Sequence, residues 1–204
     1  MKYFSKKQPL VSLYIIFVFS LLLFLLTTSS SNKKLVSSNL SESGVVDATT
    51  NSFSSEEKGI PIRLKIPSIQ VDLVIEKVGL TSDGAMGVPK DYQNVGWFSL
   101  GVRPGSKGSS VIGGHSGYKT SKVAFGDLEK LQTGDMVYVE DDTKKSSVFI
   151  VRESRVYDAE AYAPDVFRSI DGGAHLNLVT CVGIWDKVKK SYSKRLVVFT
   201  DSVE

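Results

Sequence analysis

The sequence predicts an all-β domain folded as a closed barrel, with one or two short helices and a single transmembrane helix before it. From residue 60 onward, short runs alternate apolar and polar residues and are separated by Gly, Pro, Asp and Ser. Only two stretches show helical spacing. Seven or eight short strands with brief connections in about 145 residues favour a closed barrel or a sandwich, and we choose the barrel.

A predicted membrane anchor covers residues 10–28, after a cytoplasmic N-terminus at residues 1–9. Its first part, LVSLYIIFVFSLLLFLL, carries no charge over about the length that crosses a bilayer, and Lys2, Lys6 and Lys7 precede it. The alternative is a cleaved signal peptide. Such a peptide has a shorter apolar core and an A-x-A-like cleavage site, whereas this stretch continues into TTSSSN.

A predicted flexible linker covers residues 29–59 and separates the anchor from the domain at residues 60–204. The linker is rich in Ser, Thr and Asn and has too few large apolar residues to bury a core. The chain holds 25 basic and 22 acidic residues; five of the lysines lie in the first 34 residues, so the remainder is almost neutral. No basic run with interleaved aromatic residues occurs, which argues against nucleic acid as a partner.

The predicted strands follow from period-two alternation of apolar residues. The first places Ile62, Leu64 and Ile66 on one face. Two short helices are predicted at residues 124–131 and 163–170. The predicted strands cover residues 62–67, 69–78, 109–114, 136–140, 147–157, 176–181 and 195–201.

The single cysteine, Cys181, ends the buried run LNLVTC. One cysteine excludes an intramolecular disulfide and a zinc site built on cysteines. Outside the membrane, an unpaired cysteine is a hazard unless it has a use, which favours a reactive thiol. A lone cysteine on an apolar strand is, however, most often a small core residue.

A cysteine nucleophile needs a base or a cation within hydrogen-bonding reach. His175 lies on the same predicted strand as Cys181, about 20 Å away, and is therefore expected to be a surface residue at the DGGAH turn. His115 lies in VIGGHSGY, where a strand runs into a glycine-flanked loop, and is the chosen partner. If 176–181 and 195–201 form a hairpin joined by the loop 182–194, Arg195 stands at the same end of the sheet as Cys181.

The motifs VIGGHSG, LVTC and KRLVVFTD, in this order behind an N-terminal anchor, resemble the histidine, TLxTC and arginine motifs of the sortases. Sortases are membrane-anchored cysteine transpeptidases of Gram-positive bacteria. The resemblance extends over residues 60–202 and includes IPSIQVD, VGW and RPGSKGSSVIGGH. Asn177 replaces the first threonine of TLxTC. The contexts VPKDYQNVGWF and GHSG resemble classes F or D more than class A.

The resemblance implies an eight-stranded barrel and a two-step acyl transfer. Cys181 would attack the Thr–Gly carbonyl of an LPXTG-like sorting signal, His115 would protonate the leaving amine, and Arg195 would hold the substrate or the oxyanion. Thr180 would help to position the substrate. The thioester would then pass to an amine of a lipid-linked cell-wall precursor or of a pilin lysine, outside the cell membrane. No cofactor and no metal ion are expected.

Two alternatives remain open at this point. A secreted cysteine peptidase would use the same thiol and imidazole but would hydrolyse the thioester. A membrane-anchored binding domain without catalytic activity would keep the thiol as an inert core residue.

Overall fold

The computed structural model describes residues 3–5, 57–117 and 123–203. The predicted anchor and most of the predicted linker lie outside the described residues. Within the described part of the chain, no helix is both long enough and apolar enough to cross a membrane.

Ten strands and three 3-10 turns make up the regular structure of the described residues, and the first of these turns is Pro67–Ile69. Eight of the strands close into a barrel, and the other two, β1 and β4, pair with each other. The predicted all-β closed barrel of eight strands is therefore confirmed. The strands are β1 (Tyr3–Ser5), β2 (Pro61–Ile66), β3 (Val71–Val78), β4 (Ala85–Met86), β5 (Val95–Phe98), β6 (Gly108–Gly114), β7 (Met136–Asp141), β8 (Ser146–Asp158), β9 (Ala174–Asp186) and β10 (Ser191–Ser202).

The strands follow one another around the barrel in the order β10-β8-β7-β2-β3-β5-β6-β9, and β9 closes it against β10. Two neighbouring pairs are parallel, β3 with β5 and β6 with β9, and the others are antiparallel. The parallel pairing of β6 with β9 is the important one for the site, because it brings residues distant in sequence to the same end of the sheet.

The structure corrects the predicted elements in three places. The run VGWF forms β5, a barrel strand that alternation did not predict because Val95, Gly96 and Trp97 are all buried. Each predicted helix is reduced to one 3-10 turn, at Leu128–Lys130 and at Pro164–Val166. The predicted loop 182–194 is shorter than expected, because β9 and β10 both extend beyond the barrel.

Alternation along β9 gives its two faces different surroundings. Leu176 and Leu178 belong to the main core inside the barrel. Val179 and Cys181 belong to a second apolar cluster, which also contains Val166 from the segment between β8 and β9. The only cysteine thus lies on the outer face of the barrel, under a covering segment.

Candidate active site

Cys181 lies in β9 with only 1% of its surface exposed. Burial raises the pKa of its thiol, and the positive charge of Arg195 offsets part of that increase. Since the thiolate is the nucleophilic form, the thiol needs help from its neighbours to react at neutral pH.

Arg195 stands directly opposite Cys181 in the antiparallel ladder of β9 and β10, as the hairpin argument predicted. Its side chain is 1% exposed. Its Nη1 donates to the carbonyl oxygens of Tyr192 and Lys194 at 2.8 and 2.9 Å, and its Nη2 donates to the Ser191 hydroxyl at 3.3 Å. These three acceptors are neutral, and together they orient the planar guanidinium.

A β-bulge follows the thiol along β9. The register between β9 and β10 shifts next to Tyr192, and Gly183 adopts a φ of 87° there. A Cβ at Gly183 would come within 2.6 Å of the Ser193 hydroxyl oxygen, which accepts a hydrogen bond from the amide of Ile184. Only glycine fits this backbone conformation easily, which explains the residue type so close to Cys181.

His115 follows β6, which runs parallel to β9. Gly113 pairs with Val179, so continuing the register by two residues places His115 opposite Cys181. Neighbouring strands lie about 4.8 Å apart. Within the described residues, neither ring nitrogen of His115 is hydrogen-bonded to the Cys181 sulfur. Catalytic contacts are often looser before the substrate binds.

The imidazole of His115 is 6% exposed and contacts the segment between β4 and β5. Its Nε2 lies 3.3 Å from the carbonyl oxygen of Pro89, and its ring centroid lies 4.4 Å from that of Tyr92. Burial lowers the pKa of His115, and the contact with Pro89 raises it in part. Neither contact was predicted from the sequence, although the segment VPKDYQNVGWF, which contains Pro89 and Tyr92, was one of those that carry the resemblance.

Close packing fixes the backbone on both sides of His115. A Cβ at Gly114 would lie 2.5 Å from the ring of Phe125, so this position has room only for glycine. The amide of Phe125 donates to the carbonyl of His115 at 3.0 Å. The hydroxyl of Thr180, which is buried, donates to the carbonyl of Gly114 at 2.9 Å. Thr180 therefore joins the end of β6 to the residue before Cys181.

A cavity of about 220 Å³ opens beside the thiol. One wall comes from the end of β9 and the start of β10, and the other comes from the connection between β6 and β7. Cys181 is one of its lining residues. The lining residues are Ser116, Gly117, Phe125, Gly126, Glu129, Thr180, Cys181, Val182, Gly183, Tyr192 and Leu196.

His175 does not lie on the surface as predicted. It is 9% exposed, and its two ring nitrogens lie 2.8 Å from an oxygen of Asp201 and 2.9 Å from an oxygen of Asp171. It lies at the start of β9, six residues before Cys181, so the prediction that it stands apart from Cys181 does hold. The two carboxylates explain why a histidine is tolerated in this buried position.

Asn177, which departs from the TLxTC pattern, has a structural role. Its side-chain amide donates to the carbonyl of Val166 at 2.7 Å and so attaches the covering segment to β9. In residues 57–117 and 123–203, no group of three or more His, Cys, Asp or Glu side chains is arranged to hold a metal ion.

Comparison with known proteins agrees with the geometry. The sortase domain family matches residues 64–203. Sortase A of Bacillus anthracis is 27% identical over 154 residues, which are 74% of this chain and 63% of that protein. The chain thus spans less than two thirds of the length of this relative.

Two solved structures share the fold. Sortase C-1 of Actinomyces oris is 28% identical, with a TM-score of 0.54 over 71% of this chain and 75% of that one. Sortase C1 of Streptococcus agalactiae, solved in complex with MTSET, is 25% identical, with a TM-score of 0.55 over 71% of this chain and 69% of that one. These relatives are named as sortases A and C, and the class F-like or class D-like assignment stays a prediction. Since the family match covers most of the barrel, the chain belongs to the sortase family.

Proposed function

We propose that this sortase is a cysteine transpeptidase that cleaves an LPXTG-like sorting signal and transfers the released protein to an amine. The acceptor amine belongs to a lipid-linked cell-wall precursor or to a pilin lysine. In this proposal Cys181 is the nucleophile, His115 is the general acid and base, and Arg195 binds the substrate or the oxyanion.

One observation supports the proposal more than any other. Arg195 pairs with Cys181 across β9 and β10, and His115 directly follows β6, in which Gly113 pairs with Val179 of β9. Residues that are separated by 66 and 14 positions in sequence thus lie on neighbouring strands or directly after one, which supports a shared site. A nucleophile flanked by a proton carrier and a fixed cation is the arrangement that acyl transfer needs.

The proposed reaction has two steps. The Cys181 thiolate attacks the Thr–Gly carbonyl carbon, and the Arg195 guanidinium stabilises the oxyanion. The C–N bond then breaks as His115 gives its proton to the leaving amine, which leaves a thioester and a neutral imidazole. In the second step an amine attacks the thioester and transfers a proton to His115, the C–S bond breaks, and the thiolate is restored.

A cysteine peptidase differs from this proposal only in the second step, where water replaces the amine. The geometry around Cys181 suits both nucleophiles. The test is therefore to incubate the full-length chain with LPXTG-type peptides, with and without oligoglycine or a lysine derivative, and to weigh the products and the protein. Transpeptidation predicts a thioester adduct on Cys181 and a new amide product when the amine is present.

The matched control is Cys181→Ala, which removes one sulfur atom from the outer cluster and should leave the barrel folded. We expect no adduct and no cleavage with this variant. Cleavage that survives the substitution would refute the role of Cys181. Hydrolysis products alone, at every amine concentration, would favour the peptidase.

We further propose that residues 10–28 anchor the chain in the cell membrane with the barrel outside. A membrane would then separate residues 1–9 from the barrel, so the pairing of β1 with β4 cannot be present in the anchored protein. Protease added to intact cells tests this arrangement. Digestion of the barrel with protection of an N-terminal tag is the expected result, and protection of both would contradict it.

A further inference from the structure

We propose that Glu76 is a positioning residue for His115, acting through the loop at residues 89–94, and that the carbonyl of Pro89 is the group in this loop that orients the imidazole. The catalytic consequence rests on the proposed function, whereas the effect on the imidazole does not.

The first step concerns the proton on His115. A carbonyl oxygen can only accept, so the 3.3 Å contact with Pro89 requires Nε2 to carry a hydrogen. In the neutral imidazole this fixes the tautomer and leaves Nδ1 as the nitrogen that exchanges a proton. A base that is oriented by a third group is the general arrangement for an activated nucleophile, and here the third group is a backbone carbonyl.

The second step concerns the loop that supplies this carbonyl. Tyr92 lies in the same loop and packs its ring against His115 at 4.4 Å. The carbonyl of Tyr92 accepts a hydrogen bond from the amide of Ala124 at 3.0 Å, beside Phe125, whose amide binds the His115 carbonyl. The loop therefore holds the imidazole through a hydrogen bond and a ring contact. Its position determines the position of the ring.

The third step concerns what holds the loop. Glu76, on β3, accepts hydrogen bonds from the amides of Lys90 and Asp91 at 2.9 and 3.3 Å and from the side-chain amide of Asn94 at 2.9 Å. A single half-buried carboxylate thus binds the loop at three points on either side of Tyr92. Bonds from N–H donors to an ionised carboxylate are stronger than those between neutral groups.

The titratable or charged groups near the ring, within the described residues, come from four elements. Glu76 lies on β3, Cys181 lies on β9, and Arg195 pairs with Cys181 from β10. The loop itself carries Lys90, Asp91 and Tyr92. Of these charged groups, only Glu76 binds the loop from another element. Replacing it should therefore change the imidazole without touching the thiol or the guanidinium.

The experiment uses Glu76→Gln, Glu76→Asp and Glu76→Ala in the full-length chain, with Asp72→Asn as the matched control. Asp72 lies on the same strand, but its carboxylate binds the exposed Arg63 at 2.6 Å. Because the chain has two histidines, ¹⁵N NMR can distinguish the ring nitrogens of His115 from those of His175. This measurement needs neither peptide nor activity.

For the wild type we expect the Nε2–H tautomer of His115. Glu76→Gln and Glu76→Ala should give a mixture of tautomers, and they should lower kcat for peptide cleavage by roughly tenfold or more, since a positioned proton carrier contributes about 10²–10⁴-fold. Glu76→Asp should recover part of the Nε2–H tautomer population and part of kcat. Asp72→Asn should match the wild type.

Unchanged ¹⁵N signals of His115 in Glu76→Gln would overturn the inference. A variant that unfolds at a lower temperature but keeps the wild-type tautomer of His115 would overturn it as well. If no Glu76 variant folds, Tyr92→Ala provides the same readout, because its side chain is 65% exposed and lies outside the core. A chain that shows the tautomer change but never forms a thioester would contradict the proposed function and leave this inference intact.

Discussion

Arg195 pairs directly with Cys181 across the β9–β10 ladder, and backbone carbonyls on its own strand hold its guanidinium. The charge of Arg195 and the planar shape of its guanidinium therefore have different effects on the site. Its charge lowers the pKa of the thiol, whereas its planar fork points donors in fixed directions. The two contributions can be measured independently.

Arg195→Lys keeps the charge and loses the fork. We expect kcat/KM for a sorting peptide to fall by about 10²–10³-fold, the usual effect of losing an oxyanion donor. The pH dependence of Cys181 alkylation should change little, because a cation remains. Lys194→Ala, next to it but exposed, should retain activity within a few-fold. Full activity in Arg195→Lys would reduce the role of Arg195 to its charge.

The opposite pKa directions of Cys181 and His115 predict a wide pH profile. Burial raises the pKa of the thiol and lowers that of the imidazole. The reactive pair needs thiolate and imidazolium together, so it is a minor form at neutral pH. As pH rises from acid values, kcat/KM should increase until it reaches the His115 pKa, stay level, and fall above the Cys181 pKa.

A plot of kcat/KM against pH measures both limits. The acid limit should lie below the ordinary pKa of histidine, and the alkaline limit should lie above that of cysteine. Arg195→Met removes the cation and should move the alkaline limit upward. A narrow pH profile, with fast alkylation of Cys181 already in weak acid, would contradict this prediction. It would show that the Cys181 thiolate and the His115 imidazolium are the main form of the free protein.

The sequence predicted correctly those features that depend on a single strand or on one hairpin. The alternation of Ile62, Leu64 and Ile66 predicted β2, and the hairpin predicted that Cys181 and Arg195 share one end of the sheet. It failed where burial on both faces removed the alternation, as in β5. It also ended β9 too early and began β10 too late, because the extension of the hairpin is mostly exposed and its apolar residues, such as Ile184, do not mark a buried face.

The surroundings of the histidines depended on contacts between distant segments. Nothing in the spacing of DGGAH shows that Asp201, at the end of β10, faces His175. Nor does the sequence show that Pro89 reaches His115, since this contact requires the loop to fold back over β6. Long-range contacts of this kind follow from strand order, which the local pattern does not determine.

Substitution of Thr180 can show whether this residue positions the backbone next to His115 or binds the substrate. Its hydroxyl donates to the carbonyl of Gly114, next to His115, so Thr180→Val removes a donor while keeping the volume. We expect kcat to fall about tenfold with little change in KM for the peptide, by analogy with the loss of one buried hydrogen bond worth about 1–1.5 kcal/mol. Thr180→Ser should restore most of the rate. A higher KM with unchanged kcat would instead place Thr180 in the substrate site.

The contacts of His175 predict that the stability of the fold depends on pH, independently of catalysis. Burial lowers its pKa, but the hydrogen bonds with Asp171 and Asp201 outweigh burial, so the pKa is raised. The Ser169 hydroxyl and His175 hold the pKa of Asp171 below its usual range. The stabilisation from His175 is fully present below the unfolded pKa of about 6.5 and is lost as pH rises through the folded pKa. The contribution of Asp171 to the stability of the fold is lost in strong acid, as its carboxylate becomes protonated.

Thermal unfolding of the wild type and of His175→Asn, measured between about pH 5 and pH 9, tests this sign, since an unperturbed histidine titrates in that range. His115 titrates in both proteins, so the difference between the two curves isolates His175. We expect the variant to unfold roughly 2–4 °C lower in weak acid, the shift that about 1 kcal/mol produces in a domain of this size. The difference should shrink as pH rises, and peptide cleavage should change little. A difference that grows toward alkaline pH would show that His175 is held in its neutral form.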